Sequence, residues 1–387
     1  MIKSEYSGLV IINNDIQTGP KTLISTFSTQ YQDMTRYFKT IHLYSLRKYT
    51  DNKKGTRLSD HFIFHKLWGS LSVNKFILFA MTPYIFIRVY KIFKNHKKDI
   101  IAIYYPASYI GFIATLASKF TKNQRYVRVT NNLIKEAQSR GHIGVKKIIY
   151  KILETPYKFL EKILLKRELC FFSGEQFLYP RRELSNLVEV DTLSLRKDDY
   201  YSKTFKSKEL YNVYFIGRFD DNKGLKYFIQ ASDYLDRSKY HFNIIGFGDT
   251  FQEENIRKET ANRKNLNYIG YVPFGKYLFE HLKKADFFIF PSIQEYAGKT
   301  FLEAMAFGAL VIATDSGRVR KHIEHLKNGI IIDKKQSQQI ADWIEYLSNN
   351  IDHALEIQKN AYEKIKDMSV ESMNDAIIKK VNEYYEI

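Results

Sequence analysis

The feature that most constrains this chain is a rhythm in its second half. Short, predominantly apolar runs stop at glycine or proline, and each gives way to a helical stretch. The run at 213–216 ends at Gly217, with a loop to Gly224 and a helix predicted over 225–235. The run at 242–245 ends at Gly246-Phe247-Gly248, and that at 287–290 ends at Pro291-Ser292. Shorter strands are expected at 268–269, 310–313 and 329–332, with helices at 278–284 and 301–307. Apolar runs without alternation suit strands buried on both faces, and parallel sheets covered by helices are built from such strands. The repeated strand–helix order therefore predicts a doubly wound α/β domain.

The first half carries the same grammar less cleanly. An apolar run at 9–12 leads into a polar loop at 13–20 containing Gly19, a predicted helix at 21–32 and a strand at 40–46. A second such unit reads strand 100–104, helix 109–120, strand 126–129. With 387 residues, two cores are the natural division. The charged, apolar-poor stretch at 196–206 is the expected junction, giving domains 1–198 and 199–368 with a last helix at 369–387.

Charge is divided unequally between the halves. Residues 1–200 hold 33 Lys and Arg against 16 Asp and Glu, whereas 201–387 hold 27 against 26. A first half so basic is expected to face something anionic, and an anionic membrane surface fits better than nucleic acid. No RNA-recognition pattern, zinc-ligand spacing or basic heptad accompanies the charge. Two segments could serve a membrane. Residues 76–93 contain only twelve uninterrupted apolar positions before Arg88, too few to span a bilayer, and read as a core helix or an interfacial one. Residues 146–167 set Lys at helical spacing among Ile, Leu, Tyr and Phe, as a surface helix with Lys stems over apolar ground would. The single cysteine, Cys170, excludes an internal disulfide and is expected to be a buried, inert thiol. With no signal-peptide pattern at the N-terminus, a cytoplasmic setting on the inner face of the membrane is expected.

The chemistry-bearing residues fall at the ends of the second-half strands, where open α/β sheets bind ligands. Gly217-Arg218-Phe219-Asp220-Asp221-Asn222-Lys223-Gly224 offers two glycines and two cations, suited to a diphosphate. Gly246-Phe247-Gly248 would let a ligand approach the backbone. Glu295 and Glu303 stand eight positions apart around Gly298-Lys299-Thr300, with a helix expected to start near Thr300. Its first N–H groups would favour phosphate, and a carboxylate one turn in would accept ribose hydroxyls.

GRFDDNKG, IIGFGD, IGYV and PSIQEYAGKTFLEAMAFGALVIATDSG together resemble the C-terminal domain of the retaining glycosyltransferases of family 4, with their E-x7-E pattern, over about residues 210–333. The resemblance implies the GT-B fold, two Rossmann-like domains facing a central cleft, with the C-terminal helix crossing back onto the first. It implies that Arg218 and Lys223 bind the donor diphosphate and that Glu295 contacts the transferred sugar. Gly217, Gly298, Lys299 and Thr300 would line the sugar and phosphate, Glu303 would hold the ribose, and Gly248 and Val272 would flank the base. It implies a nucleotide diphosphate sugar as donor, a UDP-sugar being expected, with no cofactor and no metal. A lipid-linked or glycan acceptor of surface polysaccharide synthesis would meet the basic first domain.

The sequence departs from that family in three places. Thr18-Gly19-Pro20 stands where two adjacent glycines are usual, and Thr130-Asn131-Asn132 where a histidine often follows the strand, His142 being a possible stand-in. Arg318-Val319-Arg320-Lys321 follows Gly317 where a second glycine and a carboxylate are common. Two other readings therefore remain, a GT-B enzyme such as a nucleotide-sugar epimerase, and a catalytically silent binding partner of a transferase.

Overall fold

The computed structural model describes residues 8–12, 17–19, 22–24, 28–45, 56–57, 59–67, 80–105, 109–129, 145–172, 186–191, 193–295 and 298–386. The chain divides into two compact units. One comprises Met1–Ser194 with Val370–Ile387, the other Leu195–Ser369.

The first unit is built on seven parallel strands among the described residues. They are β1 (Gly8–Ile12), β4 (Thr40–Ser45), β6 (Phe62–Lys66), β7 (Ile100–Tyr105), β8 (Arg125–Val129), β9 (Cys170–Phe172) and β10 (Leu187–Glu189), in the order β10-β9-β8-β7-β1-β4-β6. Alternate side chains of each strand serve opposite faces. Leu9, Ile11, Ala102 and Tyr104 enter one core, and Val10, Ile12, Ile101 and Ile103 enter the other. Helices Thr82–Asn95 and Tyr109–Ser118 cover the second face through Ile85, Val89, Phe93, Ile113 and Ala117. The first face is closed by the C-terminal helix Val370–Tyr385, whose Met373, Ile377, Ile378 and Val381 join that core. Polar contacts fix its seat. Asn374 Nδ2 donates to the Gln30 carbonyl at 3.1 Å and to Asp33 at 2.9 Å, and the Tyr385 hydroxyl donates to the Arg125 carbonyl at 2.7 Å.

Three details differ from the sequence reading. The helix expected over 21–32 is a strand, β3 (Thr22–Ile24), followed by a six-residue helix, Ser28–Asp33. Thr22 and Ile24 are β-branched and lose side-chain freedom in a helix, so the segment pairs instead with β2 (Gln17–Gly19) and β5 (Thr56–Arg57) in a small antiparallel sheet. Gly19, expected in a loop, is thus a strand residue opposite Thr22. In the 76–93 segment, the helix starts at Thr82 with Pro83 in its first turn, where a missing N–H costs nothing. Residues 13–16, Pro20, 76–79, Thr130, Asn131, Asn132 and His142 lie outside the described residues.

The second unit holds a six-stranded parallel sheet. Its strands are β11 (Tyr211–Arg218), β12 (Tyr240–Phe247), β13 (Leu266–Gly270), β14 (Phe287–Phe290), β15 (Leu310–Thr314) and β16 (Ile330–Ile332), in the order β13-β12-β11-β14-β15-β16. The chain winds outward from β11 to β13, then crosses to begin again at β14 on the other side. The order therefore reverses between β11 and β14, and the two loops leaving those strands part to either side of a crevice. Phe228, Phe242, Phe287, Ile312 and Ile344 are buried in its core.

Candidate active site

Four strand ends meet along the C-terminal edge of the second sheet, and each carries residues singled out above. Gly217 and Arg218 close β11, Gly246 and Phe247 close β12 with Gly248 next, half-buried Val272 follows β13, and Pro291 to Glu295 follows β14. The ladder brings Gly217 opposite Gly246 and Arg218 opposite Phe247. A Cβ on Gly246 would lie 1.8 Å from the Gly217 carbonyl oxygen, so the two strand ends touch backbone to backbone. Gly248 precedes Asp249, which caps helix Thr250–Ala261 by accepting from Gln252 N at 2.8 Å.

The loop after β11 crosses the reversal point and locks onto the segment after β14. Residues Asp221–Lys223 form a single helical turn, and the Asn222 carbonyl accepts from Ile293 N at 2.7 Å. Gly224 adopts φ +69°, and a Cβ there would meet the Pro291 carbonyl oxygen at 2.0 Å. Only glycine fulfils both demands. From the other side Gly317, at φ +62°, brings its backbone against the Glu295 carbonyl, 2.8 Å from where a Cβ would sit. Glu295 is thus held by contacts with loops from two neighbouring strands.

That clamp places Lys223 and Glu295 in contact, Nζ against the carboxylate, across the reversal of strand order. Both are mostly shielded, at 21% and 14% side-chain exposure. Arg218 is different. Its side chain is 63% exposed, with the guanidinium 3.4 Å from Asp220, leaving it accessible to an incoming anion. Helix Thr300–Ala306 begins at the predicted residue, with Lys299 as its cap and Gly298 packed against the Phe290 ring and Glu295. Tyr296 and Ala297 lie outside the described residues.

Glu303 sits in the first turn of that helix and is only 6% exposed. Burial raises its carboxyl to about 7, with the Lys299 ammonium pulling the other way. The group is an acid near its midpoint at neutral pH rather than a fully charged acceptor. The sequence reading, which treated it as a carboxylate, contained no signal for this. It follows from the tertiary burial of a short helix whose residues Phe301 to Ala306 are all buried.

Residues 197–364 match the family described as glycosyl transferases group 1. The matched stretch lies within the second unit. A 41.2 kDa protein of the cps region of Klebsiella pneumoniae is 27% identical over 67% of this chain and 72% of its own. A Campylobacter jejuni N-acetylgalactosaminyltransferase, named for a diphospho-undecaprenol-linked saccharide, is 25% identical over 47% of this chain and 50% of its own. An Anabaena protein solved in complex with UDP superposes with a TM-score of 0.70 over 97% of this chain and 100% of its own, at 13% identity. That likeness shows the fold, two parallel-sheet Rossmann-like domains of the GT-B type.

Proposed function

We propose that this chain is a retaining, metal-independent glycosyltransferase that moves a sugar from a nucleotide diphosphate donor, a UDP-sugar being the first choice, to a lipid-linked or glycan acceptor of surface polysaccharide. The observation that carries this reading is the Lys223–Glu295 pair, held across the reversal of strand order beside the exposed Arg218. Glu295 neutralises Lys223. A donor diphosphate entering there takes Lys223 and Arg218 as counter-ions, which frees the Glu295 carboxylate for hydroxyls of the transferred sugar. As the bond from sugar to diphosphate breaks, negative charge grows on the leaving oxygen, and two fixed cations stabilise it as a metal ion would elsewhere. Gly298, Lys299 and Thr300 present their backbone to sugar and phosphate, Glu303 receives the ribose, and Gly217, Gly248 and Val272 line the approach of the nucleotide. Gly19, on the small sheet of the first unit, belongs to the acceptor side in this reading.

The acceptor proposal has support of two kinds. The Klebsiella relative comes from a cps region, and the Campylobacter relative is named for a polyprenyl-linked saccharide. In the first unit, helix Val145–Leu165 exposes Ile152, Phe159, Leu160 and Ile163, with exposed Lys162, Lys166 and Arg167 among and just beyond them. Apolar side chains set among cations are what an anionic bilayer surface holds from its interfacial side. Among the described residues no helix is long and apolar enough to cross a membrane.

Transfer tests the reading. Radiolabelled UDP-sugars are offered with vesicles carrying polyprenyl-linked saccharide. Label should pass to the lipid fraction in the presence of EDTA with retained anomeric configuration, and should fail to pass with Glu295→Gln. Labelled sugar that stays nucleotide-bound but changes its configuration would point to an epimerase and overturn the transferase reading.

A further inference from the structure

The first unit contains a second constellation of chemically active side chains. His42 and Tyr44 are two apart on β4 and share the face that bears helix Thr82–Asn95. β6 lies beside β4 with His65 directly opposite Tyr44. His96 caps the C-terminus of the helix, and Asp99 precedes β7. Five polar side chains, from β4, β6 and the turn between the helix and β7, are thus delivered to one region.

Their geometry is close. Nδ1 of His42 lies 2.9 Å from Nε2 of His65. Nδ1 of His96 lies 2.6 Å from Oδ2 of Asp99, and its Nε2 is 3.0 Å from the Tyr44 hydroxyl. The His42 ring is 4.6 Å, centre to centre, from that of His96 and 5.2 Å from that of His65. One ligand atom from each of His42, His96 and Asp99 lies within 4.8 Å of the other two. Asp99 is 8% exposed, and the three rings are half-buried.

We infer that His42, His65, His96 and Asp99 form a binding site for a divalent transition metal, zinc being the first candidate, that pins the β4–β6 edge of the first sheet to the start of β7. Two ligand atoms on a tetrahedral zinc are roughly 3.3 Å apart, given bonds of about 2.0–2.1 Å. The ligand atoms of His42, His96 and Asp99 lie within 4.8 Å of one another, so modest side-chain adjustment gathers those three, and His65 stands beside them with its Nε2 2.9 Å from Nδ1 of His42. Three imidazoles and one carboxylate favour zinc, copper or nickel over magnesium and calcium, which require mostly oxygen. With His65 drawn in from its place against His42 as the fourth ligand, no coordination position would stay open, the pattern of a structural rather than catalytic ion. Asn123 steadies one ligand from outside, its Nδ2 donating to the His96 carbonyl at 2.8 Å. The site has no part in donor chemistry, which the proposed function assigns to the other unit. Sequence reading missed it because its members stand at 42, 65, 96 and 99, without the spacing of a metal motif.

The test uses untagged full-length protein, stripped with EDTA, dialysed, and given ZnCl2, CoCl2 or MgCl2 in turn. After gel filtration the chain should retain about one zinc and no magnesium, and its cobalt form should show the intense visible bands of a closed tetrahedral site. Zinc at 100 times its dissociation constant should raise the melting midpoint by about 5 °C. His42→Ala and His96→Ala should each lower zinc affinity by at least about tenfold. His61→Ala should not, since that exposed ring contacts the Lys39 carbonyl, 2.9 Å away, and lies outside the cluster. Zinc retained equally by the double variant His42→Ala/His96→Ala would overturn the site. So would a wild-type chain that retains no zinc and shows no cobalt bands, a result that depends on no substituted protein folding.

Discussion

Glu303 illustrates how burial sets the chemistry of a single residue. Its carboxyl is raised from 4.5 to about 7 in the folded chain, so the folded state holds that proton more tightly than the unfolded one. The sign follows directly. Stability from this group is fully present below about 4.5 and is lost as pH rises through about 7. Glu303→Gln keeps the shape of the protonated acid and never ionises. The variant should nearly match wild type in urea melts near pH 4.5 and exceed it by roughly 3 kcal/mol near pH 8. A difference that does not change with pH would contradict this account. If the carboxyl receives ribose hydroxyls, the more stable variant should also bind nucleotide more weakly.

At the scale of elements, the joining of two loops matters most. Gly224 combines a left-handed backbone with contact against the Pro291 carbonyl, whereas Gly270, at φ +93°, has nothing within 4 Å of an added Cβ. Gly270→Ala tests strain alone, and Gly224→Ala tests strain plus the lost docking of the Lys223 loop on the Glu295 segment. Gly224→Ala should cost about 1–3 kcal/mol and lower donor turnover, while Gly270→Ala should cost less and leave turnover nearly unchanged. Equal losses in both would place the effect in the backbone angle, not in the clamp.

The same elements show what the sequence could convey. Parallel strands buried on both faces announce themselves as apolar runs, so β11, β12, β14 and β15 were legible, as was the helix beginning at Thr300. Their order across the sheet was not, and it is this order that puts Lys223 against Glu295. β6 was missed because it is a half-exposed edge strand whose Ile63 faces outward and which carries His65 within it, just after His61. Thr22–Ile24 was misread because local periodicity does not report a partner strand such as Thr56–Arg57, more than thirty residues away.

For the whole molecule, the last helix is the informative element, since Val370–Tyr385 follows the second unit in sequence and completes the core of the first. A chain ending at Ser369 should lose hydrogen-exchange protection in β1 and β4 and keep it in β11 and β14. Unchanged protection in β1 and β4 would mean that Met373, Ile377 and Val381 contribute little to that core. The central claim concerns the other unit, and calorimetric titration with nucleoside diphosphates tests it most directly. UDP, GDP, ADP and dTDP are titrated into wild type, Lys223→Ala and, as control, Lys226→Ala, an exposed cation on the following helix. The tightest of them should bind Lys223→Ala roughly 10- to 100-fold more weakly and Lys226→Ala as wild type, the loss expected for a charge-assisted contact to phosphate. Equal affinity in all three proteins, or binding of no nucleoside diphosphate at all, would contradict a donor site built on Lys223 and Glu295.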